Sequence, residues 1–206
     1  MHVPARRIFI EQSPLGIVLY RVRTRMGLPA LPPHILKQRI VKEYADRYSI
    51  RTFVETGTYL GDMVAATRGK FDKIVSIELD VTLWKTAKEK FASYEHISIL
   101  QGDSSTILPS VVASISEPCL FWLDAHYSGG TTARGETETP IMKELHTVLD
   151  REGAGDVILV DDARLFVGKD DYPTVEQVRN LVAETRPDMS LESKDDIIRI
   201  CRTDHR

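Results

Sequence analysis

Residues 53–63 read FVETGTYLGDM, a short apolar stretch that runs through Glu55 into Gly57 and Gly61, two glycines separated by three residues. A glycine turn of this kind marks a strand handing over to a helix beside a nucleotide-like ligand. The stretch lacks the third glycine of G-x-G-x-x-G, and no Gly-Lys-Ser/Thr follows, which excludes a phosphate-cradling NTPase loop. An acidic residue just ahead of the turn would repel a diphosphate. It suits a ligand that carries a positive amino group.

Outward from this turn, strand and helix patterns alternate. RTFVETG (51–57), KIVSIELD (73–80), HISILQGD (96–103), PCLFWLDAH (118–126) and DVILVDDA (156–163) read as strands. Between them, DMVAATRGK (62–70), VTLWKTAKEKF (81–91), STILPSVVAS (105–114) and a segment starting near Thr139-Pro140 read as helices. TVEQVRNLVAET (174–185) is a further helix, with Thr174 and Gln177 at capping-box spacing. MSLESKDDIIRICR (189–202) reads as two strands around a turn at Lys194-Asp195. The pattern predicts an α/β fold: a doubly wound, mostly parallel sheet with a C-terminal antiparallel hairpin strand and helices on both faces. Residues 1–49 are expected to form a basic N-terminal extension with a helix over 34–48, and 50–206 a single Rossmann-like domain.

A chain of 206 residues with 42% apolar and 28% charged side chains has material for a full core. Its net charge of −3 is unevenly spread. Ten basic and three acidic residues through Arg51 leave +7 there and −10 for the remainder. That acidic remainder, with no Asn-Pro-Pro-Tyr-like motif, disfavours nucleic acid as a partner. Cys119 and Cys201 are the only cysteines and fit buried thiols of a reducing compartment. No stretch is apolar enough to span a bilayer and no signal-peptide pattern stands out, so a cytoplasmic location is expected. The segment RRIFIEQSPLGIVLYRVRTRMG (6–27) mixes apolar residues with arginines. It suits either packing on its own domain or peripheral contact with an anionic membrane or a protein partner. The oligomeric state stays open.

In a doubly wound sheet, ligands bind outside the carboxyl ends of the strands. Glu55 and Gly57, Glu78, Asp103, Asp124 and His126, and Asp161 and Asp162 all follow the apolar runs. Glu78 lies 21 residues past Gly57, where a carboxylate can accept both hydroxyls of a ribose. Asp103 can accept from an exocyclic adenine amine.

With these motifs in this order, the chain from about Ile50 to Arg202 resembles the class I, Rossmann-like S-adenosylmethionine (SAM)-dependent methyltransferases. The resemblance rests on VETGTYLG, VSIELD, ILQGDS, FWLDAH, VILVDD and the closing hairpin. It implies SAM as cofactor, with Glu55, Gly57 and Gly61 framing its methionine portion, Glu78 holding the ribose, and Asp103 with Ser104 flanking the adenine. Asp124, Asp161 and Asp162 at neighbouring strand ends would repel one another without a compensating cation. Their hard oxygens suit Mg²⁺. In this the chain looks like the metal-assisted O-methyltransferases of the macrocin type and, more distantly, the catechol methyltransferases. It departs from the former after strand four, where DAHYSGGTTARGETETP replaces a more elaborate acidic stretch. The implied reaction is methylation of a hydroxyl on a small metabolite or sugar, with Asp124 or His126 as general base. The loop at 127–138, with Gly129, Gly130, Gly135 and Arg134, is the candidate substrate lid, and Tyr127 and Arg164 are candidate lining residues. The alternative role of Asp161 or Asp162 is to cap the turn after the strand. Two other readings stay open: a nicotinamide-dependent oxidoreductase, and a non-catalytic module tethered by its basic N-terminus.

Overall fold

The computed structural model describes residues 13–124, 139–151 and 155–203. His126 and the 127–138 loop, with its proposed lid and Tyr127, lie outside the described residues. Two helices, α1 (Pro14–Arg25) and α2 (His34–Arg47), lead into β1 (Thr52–Thr56), α3 (Asp62–Thr67), β2 (Lys73–Glu78), α4 (Val81–Lys90) and β3 (Ile97–Gln101). Then come α5 (Ser104–Ala113), β4 (Cys119–Leu123), α6 (Ile141–Leu149), β5 (Val157–Val160), a 3₁₀ turn (Ala163–Leu165), α7 (Val175–Thr185), β6 (Met189–Lys194) and β7 (Ile197–Arg202).

The strands form one seven-stranded sheet in the order β3-β2-β1-β4-β5-β7-β6. Strands β1 to β5 pair in parallel, and β7 runs antiparallel to both β5 and β6. The predicted doubly wound sheet with an antiparallel terminal hairpin is therefore present. β1, β4 and β5 are buried at every position, as central strands covered on both faces must be.

Strand alternation divides the core in two. Val54, Phe121, Leu123, Ile158 and Val160 face a cluster that includes Leu108 of α5, Leu145 of α6 and Val178 of α7. Phe53, Leu120, Trp122, Val157 and Leu159 face the other cluster, with Ile40 and Val41 of α2, Val64 of α3 and Ala87 of α4. Ile17 and Tyr20 of α1 join this second cluster, while Leu15, Val18, Leu19 and Val22 of the same helix stay exposed. Among the described residues, no helix is long and apolar enough to cross a membrane.

Local signals held closely. Thr174 and Gln177 form the capping box of α7. α6 begins one residue later than the cap-then-proline order suggests: Pro140 takes the cap position, and Thr139 Oγ1 accepts from Ile141 N at 3.2 Å. The hairpin turn centres on Asp195-Asp196 rather than Lys194-Asp195. Both aspartates have positive φ, +53° and +60°, as a right-twisting two-residue hairpin requires. Cys119 and Cys201 fall in β4 and β7 as free thiols.

Candidate active site at the carboxyl edge of the sheet

The chain winds outward from β1 to β3 and then returns to place β4 on the other side of β1, so the strand order reverses between β1 and β4. Such a switch point opens a crevice at the carboxyl edge. Gly57 and Gly61 shape the turn beside it, with φ of +86° and +71°. Gly61 caps α3, and a Cβ there would stand 2.7 Å from Phe91 Cε2, so both its backbone and its neighbour demand glycine.

Glu78 ties this turn to β2. Its Oε2 accepts from Tyr59 N at 2.7 Å and its Oε1 from Asp80 N at 2.9 Å. Each carboxylate oxygen keeps a further lone pair for a ligand hydroxyl. Asp103 caps α5, taking Ser105 N on Oδ1 at 2.8 Å, which leaves Oδ2 for a ligand amine. Asp80 is engaged as the cap of α4.

Glu55 sits differently from a simple ligand clamp. It is buried, and Ser76 Oγ donates to its Oε2 at 2.5 Å, with Thr58 Oγ1 2.6 Å from the same serine. Burial pushes its carboxyl well above the usual carboxylate range, against the Ser76 hydrogen bond, and Asp124, Glu78 and Asp62 add to the rise. A cationic ligand in the crevice would relieve that cost. Ser104 is also buried, with its hydroxyl beside Glu144.

The strand-end aspartates lie at the β4–β5 end of the edge. Asp124 N donates to Thr56 O at 3.1 Å and Asp161 N to Leu123 O at 3.0 Å, so the backbone continues the ladder to both residues. Asp162 adopts φ +55° and precedes the 3₁₀ turn. Burial pushes the Asp161 carboxyl up, with Asp124 and Asp162 adding to the rise, and the Lys37 ammonium opposes it by favouring the ionised form. The expected magnesium set is not assembled. Among the described residues, no three His, Cys, Asp or Glu side chains converge as metal ligands. Two of the three carboxylates are instead engaged by cationic side chains: Lys37 Nζ lies 2.6 Å from the Asp161 carboxylate and 3.4 Å from Asp162, and Arg164 Nη1 donates to Asp162 Oδ1 at 2.6 Å. These residues do not fit Mg²⁺ as they stand.

Four groups here escaped the sequence reading. Lys37 and His34 come from the first turn of α2. Burial lowers the His34 pKa, Lys37 adds to that, and the fields of Asp62 and Asp124 oppose it. Tyr172 neighbours Asp162 and Thr139, and burial raises its phenol pKa, with Asp162 reinforcing the shift. Glu144 of α6 is fully buried with no well-formed hydrogen bond to either carboxylate oxygen among the described residues, and the hydroxyls of Ser104 and Thr56 are its polar neighbours. Burial raises it to about 7. Apart from the charge of Lys37, no local pattern distinguishes these residues in the sequence.

No protein-family model and no curated protein matches the sequence. Solved structures do. An O-methyltransferase of tomaymycin synthesis from Streptomyces achromogenes, in complex with SAM, superposes with a TM-score of 0.62 at 18% identity, covering 89% of this chain and 86% of that one. A methyltransferase from Podospora anserina bound to S-adenosylhomocysteine (SAH) gives 0.60 at 17% identity, with 99% and 98% covered. An O-methyltransferase from Bacillus cereus, in complex with SAH, gives 0.61 at 16% identity, with 89% and 88% covered. Sheet order, hairpin and superposition agree: the chain has the fold of the class I SAM-dependent methyltransferases.

Proposed function

We propose that the chain is a SAM-dependent methyltransferase acting on a hydroxyl oxygen of a small acceptor. The observation that carries this reading is Glu78: its carboxylate is fixed by the N–H of Tyr59 in the glycine turn and by that of Asp80, with acceptor capacity left at the mouth of the crevice. Asp103 stands at the end of the next strand, where an adenine amine would reach its second oxygen. The oxygen acceptor is supported by the O-methyltransferases among the structural neighbours.

When bound, SAM supplies the electrophilic sulfonium methyl. The chain's own residues hold and align. Glu78 fixes the ribose, the Gly57–Gly61 turn admits the amino-acid portion, and Glu55, ionising as the ligand enters, favours its ammonium. Asp124, at the switch point, takes the acceptor's hydroxyl proton as its oxygen attacks. No step runs through magnesium, because Lys37 and Arg164 already engage Asp161 and Asp162. Alignment carries most of the acceleration, up to roughly 7–11 kcal/mol in favourable intramolecular cases.

Calorimetric titration with SAH, with NADH as comparator, tests this reading. Micromolar SAH binding without NADH binding is expected. The reverse preference would move the assignment to a nicotinamide enzyme, and failure of both ligands would remove the cofactor site.

A further inference from the structure

The carboxyl ends of β4 and β5 gather Asp124, Asp161 and Asp162, and Asp161 and Asp162 are largely withdrawn from water. Carboxylates so placed need a cation or shared protons. α2 delivers one. It packs across the sheet through Ile40 and Val41, and this carries its first turn to the carboxyl edge. Lys37 on that turn is 13% exposed, with its Nζ 2.6 Å from Asp161 and 3.4 Å from Asp162.

We propose that Lys37 is the resident cation of this corner and stands where a divalent metal would otherwise sit. An ammonium has three donors in a compact head. Asp161 takes one at short range and Asp162 draws a second more weakly. Arg164 takes a further share of Asp162 while also pairing with Asp196. A Mg²⁺ on Asp161 would need oxygen contacts at ~2.1 Å. That would set a dication against an ammonium on the same carboxylate, and the repulsion would expel one of them. Among the described residues, the charged groups facing Lys37 from other elements are Asp161, Asp162 and Asp124. The inference deepens the methyl-transfer reading by assigning that site's cation.

The test is Mn²⁺ binding, read by paramagnetic resonance and calorimetry, on the full chain and on Asp161→Asn, Lys37→Ala, Lys37→Gln, Lys37→Arg and Lys37→Ala/Asp161→Asn. Mn²⁺ shares magnesium's preference for oxygen ligands. The wild-type chain and Lys37→Arg are expected to show no Mn²⁺ binding that depends on Asp161 up to millimolar metal. Lys37→Ala and Lys37→Gln should gain a site roughly tenfold or more tighter, and the double variant should lose it again. Lys37→Gln keeps the side-chain stem, so the test survives if the alanine variant fails to fold. Wild-type Mn²⁺ binding abolished by Asp161→Asn would overturn the proposal, as would folded Lys37 variants that gain no site. SAH titration of the same samples separates the two ideas: loss of SAH binding throughout would sink the methyltransferase reading and leave the metal result standing.

Discussion

Replacing Glu144 with glutamine should make the protein more stable at alkaline pH and leave it nearly unchanged in mild acid. The carboxyl is fully buried on α6, neither oxygen has a well-formed hydrogen bond among the described residues, and burial raises it from an ordinary 4.5 to about 7 against the nearby Ser104 and Thr56 hydroxyls. Because the folded value lies above the unfolded one, the group's contribution to stability is complete below pH 4.5 and is lost as pH rises through about 7. At ~1.4 kcal/mol per pH unit, that loss is about 3 kcal/mol once the group is ionised in both states. Glutamine has nearly the same shape and never ionises. Any fixed cost of its amide is the same at both pH values and cancels in the comparison. Asp161 also titrates upward, but it does so in both proteins and drops out of the difference.

Urea denaturation of both proteins at about pH 5 and about pH 8.5 reads the effect. About 2.5 kcal/mol of that loss falls between the two pH values, so with a slope of ~2 kcal/mol/M the variant's midpoint should move up relative to wild type by about 1.3 M. A gap that stays constant across that range would refute the reasoning. It would mean that the Glu144 carboxyl is not ionising inside the fold.

Glu78→Ala should weaken SAH binding about a hundredfold, from two lost charge-assisted hydrogen bonds at ~1.5 kcal/mol each, whereas Asp124→Ala should leave it within a few-fold of wild type. Calorimetry on both variants checks the division, and equal losses would remove it. Because burial keeps the Glu55 carboxyl protonated to higher pH, SAM binding should release a proton and its affinity should rise with pH. Titrations in buffers of different ionisation enthalpy measure that proton, and zero release would separate Glu55 from the ligand. Replacing the exposed Leu15, Val18, Leu19 and Val22 with serine should abolish any co-sedimentation with anionic liposomes while the fold holds, since Ile17 and Tyr20 carry the packing of α1. Vesicle binding that survives the change would assign it to another surface.

The sequence by itself determined the order and kind of the elements, because those rest on short-range rules. Apolar runs such as CLFWL and VILV can only be strands covered on both faces, and capping residues such as Thr174 act within one turn. Alternation of strand and helix then leaves the parallel sheet and its active edge as the natural outcome. The ligand-facing residues Glu78 and Asp103 were legible for the same reason: they end strands, and strand ends meet at one edge.

Tertiary structure alone decided what those carboxylates meet. Lys37 is 124 residues from Asp161 in sequence, and only the crossing of α2 over the sheet brings them within 2.6 Å. The same packing turns a predicted metal set into an ion-paired corner. Glu144 sits in a helix whose pattern reads as ordinary. Its burial beneath the strand ends comes from α6 docking against the sheet through Ile141, Leu145 and Val148. Charge and periodicity are properties of a chain, but desolvation and partnership belong to a place in the fold. A linear reading could therefore name the acidic residues without knowing which would be paired and which left alone in the core.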